Sequence, residues 1–226
     1  MNKLEKFAEL LGFPHVYENF DPENPGLIGK DGESVELKGK WNEKHFKNNQ
    51  PITLELACGR GEYTVGLGQR YPDRNFIGVD VKGARIWKGA TQALEQKMAN
   101  VAFLRTRIEQ IALFFEPNEI DEIWITFPDP FLANNKSNRR LTSAAFTEHY
   151  RKILKPKGLV HLKTDEPNLY KFTLSTIAAD AASELLYHNE DIYADDLAFE
   201  ELEIKTYYER MHLDLKKTIK YVRYYI

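Results

Sequence analysis

From Pro51 onward, short apolar runs alternate with stretches of helical spacing. The apolar runs are Ile52–Ala57, Asn75–Val79, Val101–Arg105, Ile120–Thr126 and Leu159–Lys163, and continuous runs of this length suit strands buried on both faces. Glu62–Arg70, Ala84–Met98, Glu109–Phe115, Ser143–Leu154 and Asn168–Ala181 have helical character. Strand and helix in alternation predict an α/β fold, a Rossmann-like, mostly parallel sheet covered by helices. After Ala181 the pattern changes. Glu184–His188, Lys205–Arg210 and Thr218–Ile226 are β-rich with no helix between them, which predicts antiparallel strands at the C-terminal sheet edge. Before Pro51 a short amphipathic helix over Lys3–Leu11 leads into a loop-rich stretch with several Pro and Gly. The expected organisation is an N-terminal extension over residues 1–50, with a locally basic arm at Lys38–Lys47, and one domain over 51–226.

Composition narrows this picture only slightly. A chain of 226 residues is long enough to bury a core without a metal or a disulfide, and the single cysteine, Cys58, fits a reducing compartment. The opening MNKLEKFAELLGF is too charged for a signal peptide, and no apolar run is long enough to span a bilayer. A cytoplasmic protein with no membrane partner is expected, as a monomer or homodimer. The net charge of −3 does not announce a nucleic-acid binder, but its distribution is uneven. Basic residues crowd Pro130–Lys157, and acids crowd Asn189–Glu203. Taken alone, such runs read as solvated faces.

The first domain strand ends in Glu55-Leu-Ala-Cys-Gly-Arg-Gly61 and enters a helix. Gly59 and Gly61 allow a tight turn and close approach of a ligand. Asp80 ends the second strand, where a carboxylate can accept hydrogen bonds from both ribose hydroxyls. A dinucleotide site would place a third glycine at Thr64 and would not favour Glu55 beside a pyrophosphate. S-adenosylmethionine carries a sulfonium and an ammonium, for which an acid is favourable. The turn therefore suits the methyl donor better than a nicotinamide; a glycine turn with no ligand also fits these residues. Cys58 reads as a packing residue, and the six histidines show no metal-ligand spacing.

The fourth domain strand runs into Phe127-Pro-Asp-Pro-Phe131, where two prolines restrict the backbone around Asp129. With this loop go Arg139-Arg-Leu-Thr142, Leu154-Lys-Pro-Lys-Gly158, His161-Leu-Lys-Thr-Asp165 and Thr206-Tyr-Tyr-Glu209. In order and spacing these resemble the bacterial tRNA (guanine-N7)-methyltransferases, from about Trp41 to the C-terminus. The resemblance implies a class I S-adenosylmethionine-dependent fold and methyl transfer to N7 of a guanine in the tRNA variable loop, giving 7-methylguanosine. It implies cofactor contacts from Glu55, Gly59, Gly61, Asp80 and Asp129, with Asp129 as the catalytic carboxylate. Asp165 and Thr206, Tyr207, Tyr208 and Glu209 are the implied guanine-site residues, Asp165 and Glu209 reading its donor edge. Lys136, Arg139 and Arg140 are the implied phosphate contacts.

Three positions depart from the family pattern. Arg107 stands where the family carries an aspartate near the adenine, so only backbone contact is expected at Arg107 and Ile108. Ala133 stands where a lysine opens a denser basic run, so fewer phosphate contacts and a weaker salt dependence of RNA binding are expected. Ala57 replaces the first glycine of the turn. A tRNA-binding protein of this fold with weak or partner-dependent catalysis, or a methyltransferase of another RNA or a small molecule, also fits these departures.

Overall fold

The computed structural model describes residues 2–226. Its ten strands form one sheet: β1 (Val16–Glu18), β2 (Leu27–Ile28), β3 (Ser34–Val35), β4 (Ile52–Leu56), β5 (Asn75–Asp80), β6 (Val101–Arg105), β7 (Ile120–Thr126), β8 (Leu154–Thr164), β9 (Glu184–Asn189) and β10 (Lys220–Tyr225). The order across the sheet is β3-β2-β1-β6-β5-β4-β7-β8-β10-β9. Strands β1, β6, β5, β4, β7 and β8 run parallel. The pairs β8–β10 and β10–β9 at one end, and β1–β2 and β2–β3 at the other, are antiparallel. The chain leaves β4 towards β5 and β6 on one side, then returns to β7 on the other. That reversal opens a crevice at the carboxyl ends of β4 and β7.

Among the described residues six α-helices accompany the sheet: α1 (Lys3–Leu10), α2 (Glu62–Arg70), α3 (Gly83–Glu95), α4 (Ala144–Arg151), α5 (Pro167–Ala178) and α6 (Tyr207–Asp214). One apolar cluster gathers Phe146, Tyr150, Leu169 and Ile177 from α4 and α5 with strand residues such as Leu54, Ile123 and Leu162. The other gathers Tyr63, Val65, Ile86 and Ala90 from α2 and α3 with Phe76, Phe103, Trp124 and Tyr221. Burial on both faces explains why β4 and β5 are buried at every position. The second face also holds a closed polar set. Glu122 pairs with His161 at 2.6 Å and with Arg74, and His161 lies flat on Trp124 at 3.9 Å. Burial alone would raise the Glu122 carboxyl, but these two partners outweigh it and hold it at about 2.

The segment before Pro51 contributes three strands to this sheet. β1 pairs in parallel with β6 from Val16 against Phe103 to Glu18 against Arg105. The basic segment expected as an arm is anchored by its aromatics: Trp41 and Phe46 are buried, and Trp41 Nε1–H donates to the Phe114 carbonyl at 3.0 Å. The second difference lies near the C-terminus. Lys205–Arg210, expected as a strand, contains the start of α6, with Thr206 as N-cap accepting from the Glu209 N–H at 3.1 Å. Two adjacent tyrosines suggested β structure, but the Thr-x-x-Glu spacing is a helix-start signal and prevails. Helix α4 also ends earlier than expected, and β8 begins at Leu154.

Candidate active site

The crevice at the β4/β7 reversal holds two adjoining cavities of about 490 Å³ and about 200 Å³. Both are lined by Ala57, Asp80, Val81 and Asp129. The larger adds Thr106, Arg107, Ile108, Leu141 and Phe146; the smaller adds Cys58, Gly59, Arg60, Thr126, Thr206 and Tyr208.

The glycine turn builds one wall. Gly61, the N-cap of α2, has φ 67°, and a Cβ there would lie 2.6 Å from the Phe103 ring, so glycine is required twice over. The Gly59 N–H donates to Asp80 Oδ2 at 2.9 Å and the Lys82 N–H to Oδ1 at 2.8 Å. Each carboxylate oxygen keeps a further lone pair, so Asp80 can hold the turn and still accept ribose hydroxyls. Ala57 adopts φ 57°, a conformation glycine adopts at lower cost. Burial pushes the Cys58 thiol up, and Glu55 and Asp80 push it further, so it stays neutral and packs the turn.

Glu55, expected at the ligand, lies beneath the turn instead. It is 2% exposed, and its oxygens accept from the Thr64 N–H at 2.8 Å, the Thr64 hydroxyl and the Thr126 hydroxyl at 2.7 Å. Its position precedes the strand end, so its side chain enters the layer between sheet and α2 and lines neither cavity. Burial raises its carboxyl to about 7 against the pull of the two threonines. Glu55 thus ties β4, α2 and β7 together.

The loop after β7 carries Asp129 into both cavities, exposed between its prolines. Phe127 and Phe131 at its ends have φ 49° and 42°, left-handed conformations that cost an aromatic residue about 1–2 kcal/mol each. Arg140 opposes that strain. It is 7% exposed, and its Nε donates to the Pro130 carbonyl at 3.1 Å and the Phe131 carbonyl at 3.3 Å. Its Nη2 donates to the Phe131 carbonyl at 3.1 Å, and its guanidinium lies 4.4 Å from the Phe172 ring centre. Arg140, expected as a phosphate contact, is thus a buried clamp on the loop, with its Nε–H and one Nη2 N–H directed at loop carbonyls. Lys136 and Arg139 are exposed, and Arg139 lines the larger cavity.

The far wall comes from α6. Thr206 and Tyr208 line the smaller cavity, while Tyr207 is 42% exposed beside it. Glu209, expected to read the base edge, is fully buried. It pairs with Lys163 Nζ at 2.8 Å and accepts from the Tyr193 hydroxyl at 2.6 Å. Lys163 Nζ also donates to the Leu202 and Ile204 carbonyls at 3.0 and 3.1 Å, and its own carbonyl accepts the Phe127 N–H at 2.8 Å. One buried lysine thus holds both the Asp129 loop and the segment leading into α6. Asp165 lines neither cavity. It pairs with Lys217 at 2.6 Å and with His212 Nε2 at 3.3 Å, and the His212 ring stacks on Phe127 at 5.8 Å. The N-cap of α5 is Glu166, so Asp165 is not spent on capping. Lys163, His212 and Arg60 carried no signal in the sequence that separated them from other charged residues.

These walls suit an adenosine linked to a cationic group. Asp80 is placed for a ribose, apolar Val81, Ile108, Leu141 and Phe146 for a purine, and Asp129 for positive charge. Residues 49–222 match the family described as "Putative methyltransferase". A tRNA (guanine-N(7)-)-methyltransferase of Bacteroides thetaiotaomicron is 49% identical over 223 residues, spanning 99% of this chain and 85% of that relative. The chain belongs to the tRNA (guanine-N7)-methyltransferase family. A further member of the family, from Christiangramia forsetii, is 45% identical and spans 100% of this chain and 98% of its own length. The 16S rRNA methyltransferase KamB superposes with a TM-score of 0.61 at 12% identity, over 86% of this chain and 96% of its own; that likeness is one of fold. Against the family pattern, Arg107 is exposed and lines the larger cavity beside Ile108. Among the described residues no acidic, histidine and cysteine cluster could hold a metal ion, and no helix is long and apolar enough to cross a membrane.

Proposed function

We propose that this chain methylates N7 of a guanine in tRNA, guanine 46 of the variable loop, with S-adenosylmethionine as donor. The observation that carries the reading is Asp129, held exposed in a strained, clamped loop where the cofactor-type cavity meets the smaller one. The cofactor supplies an activated methyl group on a sulfonium. The N7 lone pair of guanine lies in the ring plane and is already free to take that methyl group. No proton leaves N7, so no general base is needed. What the chain must supply is placement and a counter-charge for the purine as it becomes cationic. Asp80 would hold the ribose, Gly59 and Gly61 would let the backbone approach, and the backbone at Arg107 and Ile108 would meet the adenine edge. Asp129 stabilises the cationic purine. Thr206 and Tyr208 wall the guanine side, and the reading assigns the donor edge of the base to Asp165, which the structure holds outside both cavities on Lys217 and His212. Lys136 and Arg139 meet phosphates. The reading places the protein in the cytoplasm with its tRNA substrate.

The test is direct. Purified protein, S-adenosylmethionine and unmodified bacterial tRNA are incubated, and the tRNA is digested for nucleoside mass spectrometry. The reading expects 7-methylguanosine, lost when guanine 46 is replaced. Its absence beside a working control enzyme refutes the reading.

A further inference from the structure

We propose that Tyr207 and Arg60 form a stacking platform for an unpaired nucleotide flanking the target guanine, with Lys82 and Arg85 holding its phosphates. The proposal rests on the tRNA reading above and extends it to a surface outside the reacting centre.

Tyr207 opens α6 at the mouth of the smaller cavity and is 42% exposed. The Arg60 guanidinium lies 3.9 Å from its ring centre. Met211, one turn on along the same face, is 36% exposed, and Leu215, the residue that caps the helix, is 64% exposed, so uncovered apolar side chains follow Tyr207. The core does not use this face. Arg60, Lys82 and Arg85 line the cavity below, and among the described residues none of the three meets a carboxylate within ion-pair distance. By contrast Lys88 and Arg210 nearby are both paired with Glu62.

Charge chooses the occupant. Arg60 on the Tyr207 ring, with Lys82 and Arg85 unpaired in a lining that also holds Glu62, Asp80 and Asp129, matches a polyanion that carries flat bases. Aromatic rings and guanidinium planes are the groups on which unpaired bases stack. The position also fits, because a base entering the smaller cavity brings its neighbours past Tyr207. The patch answers a deficit on the other side of the site: with Arg140 spent on the loop, Lys136 and Arg139 are what remain of the basic residues between Phe131 and Arg140.

Three variants test this: Tyr207→Ala, Tyr207→Trp and Lys82→Ala/Arg85→Ala. Binding of unmodified tRNA is read by fluorescence anisotropy between 50 and 200 mM salt, roughly the range over which phosphate contacts reveal themselves. S-adenosylmethionine binding is read by calorimetry, and mass by sedimentation. Tyr207→Ala should weaken tRNA binding about tenfold at every salt concentration, and Tyr207→Trp should restore it. The double variant should lower the salt slope by about two. Cofactor affinity should not move in any of them. Unchanged tRNA affinity and slope overturn the proposal. So does a parallel loss of cofactor affinity, which would assign the patch to the cofactor, or a change in mass with tRNA binding intact, which would assign it to a protein. A wild-type protein that neither binds nor methylates tRNA sinks the tRNA reading itself, which none of these variant outcomes does.

Discussion

Replacing Arg140 separates two roles that a basic residue in this stretch could have. Two N–H groups of its guanidinium, the Nε–H shared between two acceptors and one on Nη2, end on the Pro130 and Phe131 carbonyls. Charge-assisted bonds of this kind contribute about 1.5–3 kcal/mol each. Water replaces part of that in a loop at a cavity rim, which leaves about 3 kcal/mol. The strain held at Phe127 and Phe131 is of similar size, about 2–4 kcal/mol together. In Arg140→Ala the loop relaxes, and the conformation that presents Asp129 falls to about 1% of its former weight, since 1.4 kcal/mol is a factor of ten. Single-turnover methylation at saturating tRNA and cofactor should therefore slow about 100-fold, with the salt slope of tRNA binding unchanged. A variant that methylates at full rate while its salt slope falls by about one would show that Arg140 contacts phosphate and would refute the clamp.

Further outcomes follow from buried charges and from the turn. Because burial holds the Glu55 carboxyl at about 7, above its ordinary value of 4.5, its contribution to stability is complete below pH 4.5 and lost as pH rises through 7. The loss amounts to about 3 kcal/mol, and Glu55→Gln should remove it. His45, which burial lowers to about 4, works in the opposite sense at acid pH, so the difference in Tm between variant and wild type across pH 5–8 isolates Glu55; a flat difference contradicts the assignment. Lys163→Met leaves Glu209 buried without its cation and should cost about 3–5 kcal/mol in urea unfolding, whereas Lys163→Met/Glu209→Gln should recover most of it. No recovery would mean that the pair is not the cause. Ala57→Gly relieves a left-handed alanine and should raise stability by up to about 1 kcal/mol, measured by urea midpoint; a loss of that size would contradict the strain.

The central sheet was legible because its strands are continuous apolar runs closed by turn residues, and Val101–Arg105 and Ile120–Thr126 match residue for residue. Strands β2 and β3, two residues each, are too short for any period to show, and they gain their place only by pairing along the edge at β1. In the site, Asp80 and Asp129 were readable because each stands at the end of an apolar run or between prolines. Arg140 was not, since in sequence it differs in nothing from Arg139; burial against two carbonyls separates them. Glu209 and Lys163 belong to distant segments, and one chain carries no record that they meet. The left-handed Phe127 and Phe131 were equally hidden, because aromatic residues do not announce that conformation.

The proposed role of Asp129 is to stabilise charge that develops as the methyl moves. Asp129→Asn keeps size and loop geometry while removing that charge. Its single-turnover rate at saturating S-adenosylmethionine and tRNA tests the claim most directly. The account predicts a fall of about 100-fold or more with tRNA affinity unchanged; a variant that forms 7-methylguanosine at the wild-type rate would contradict it.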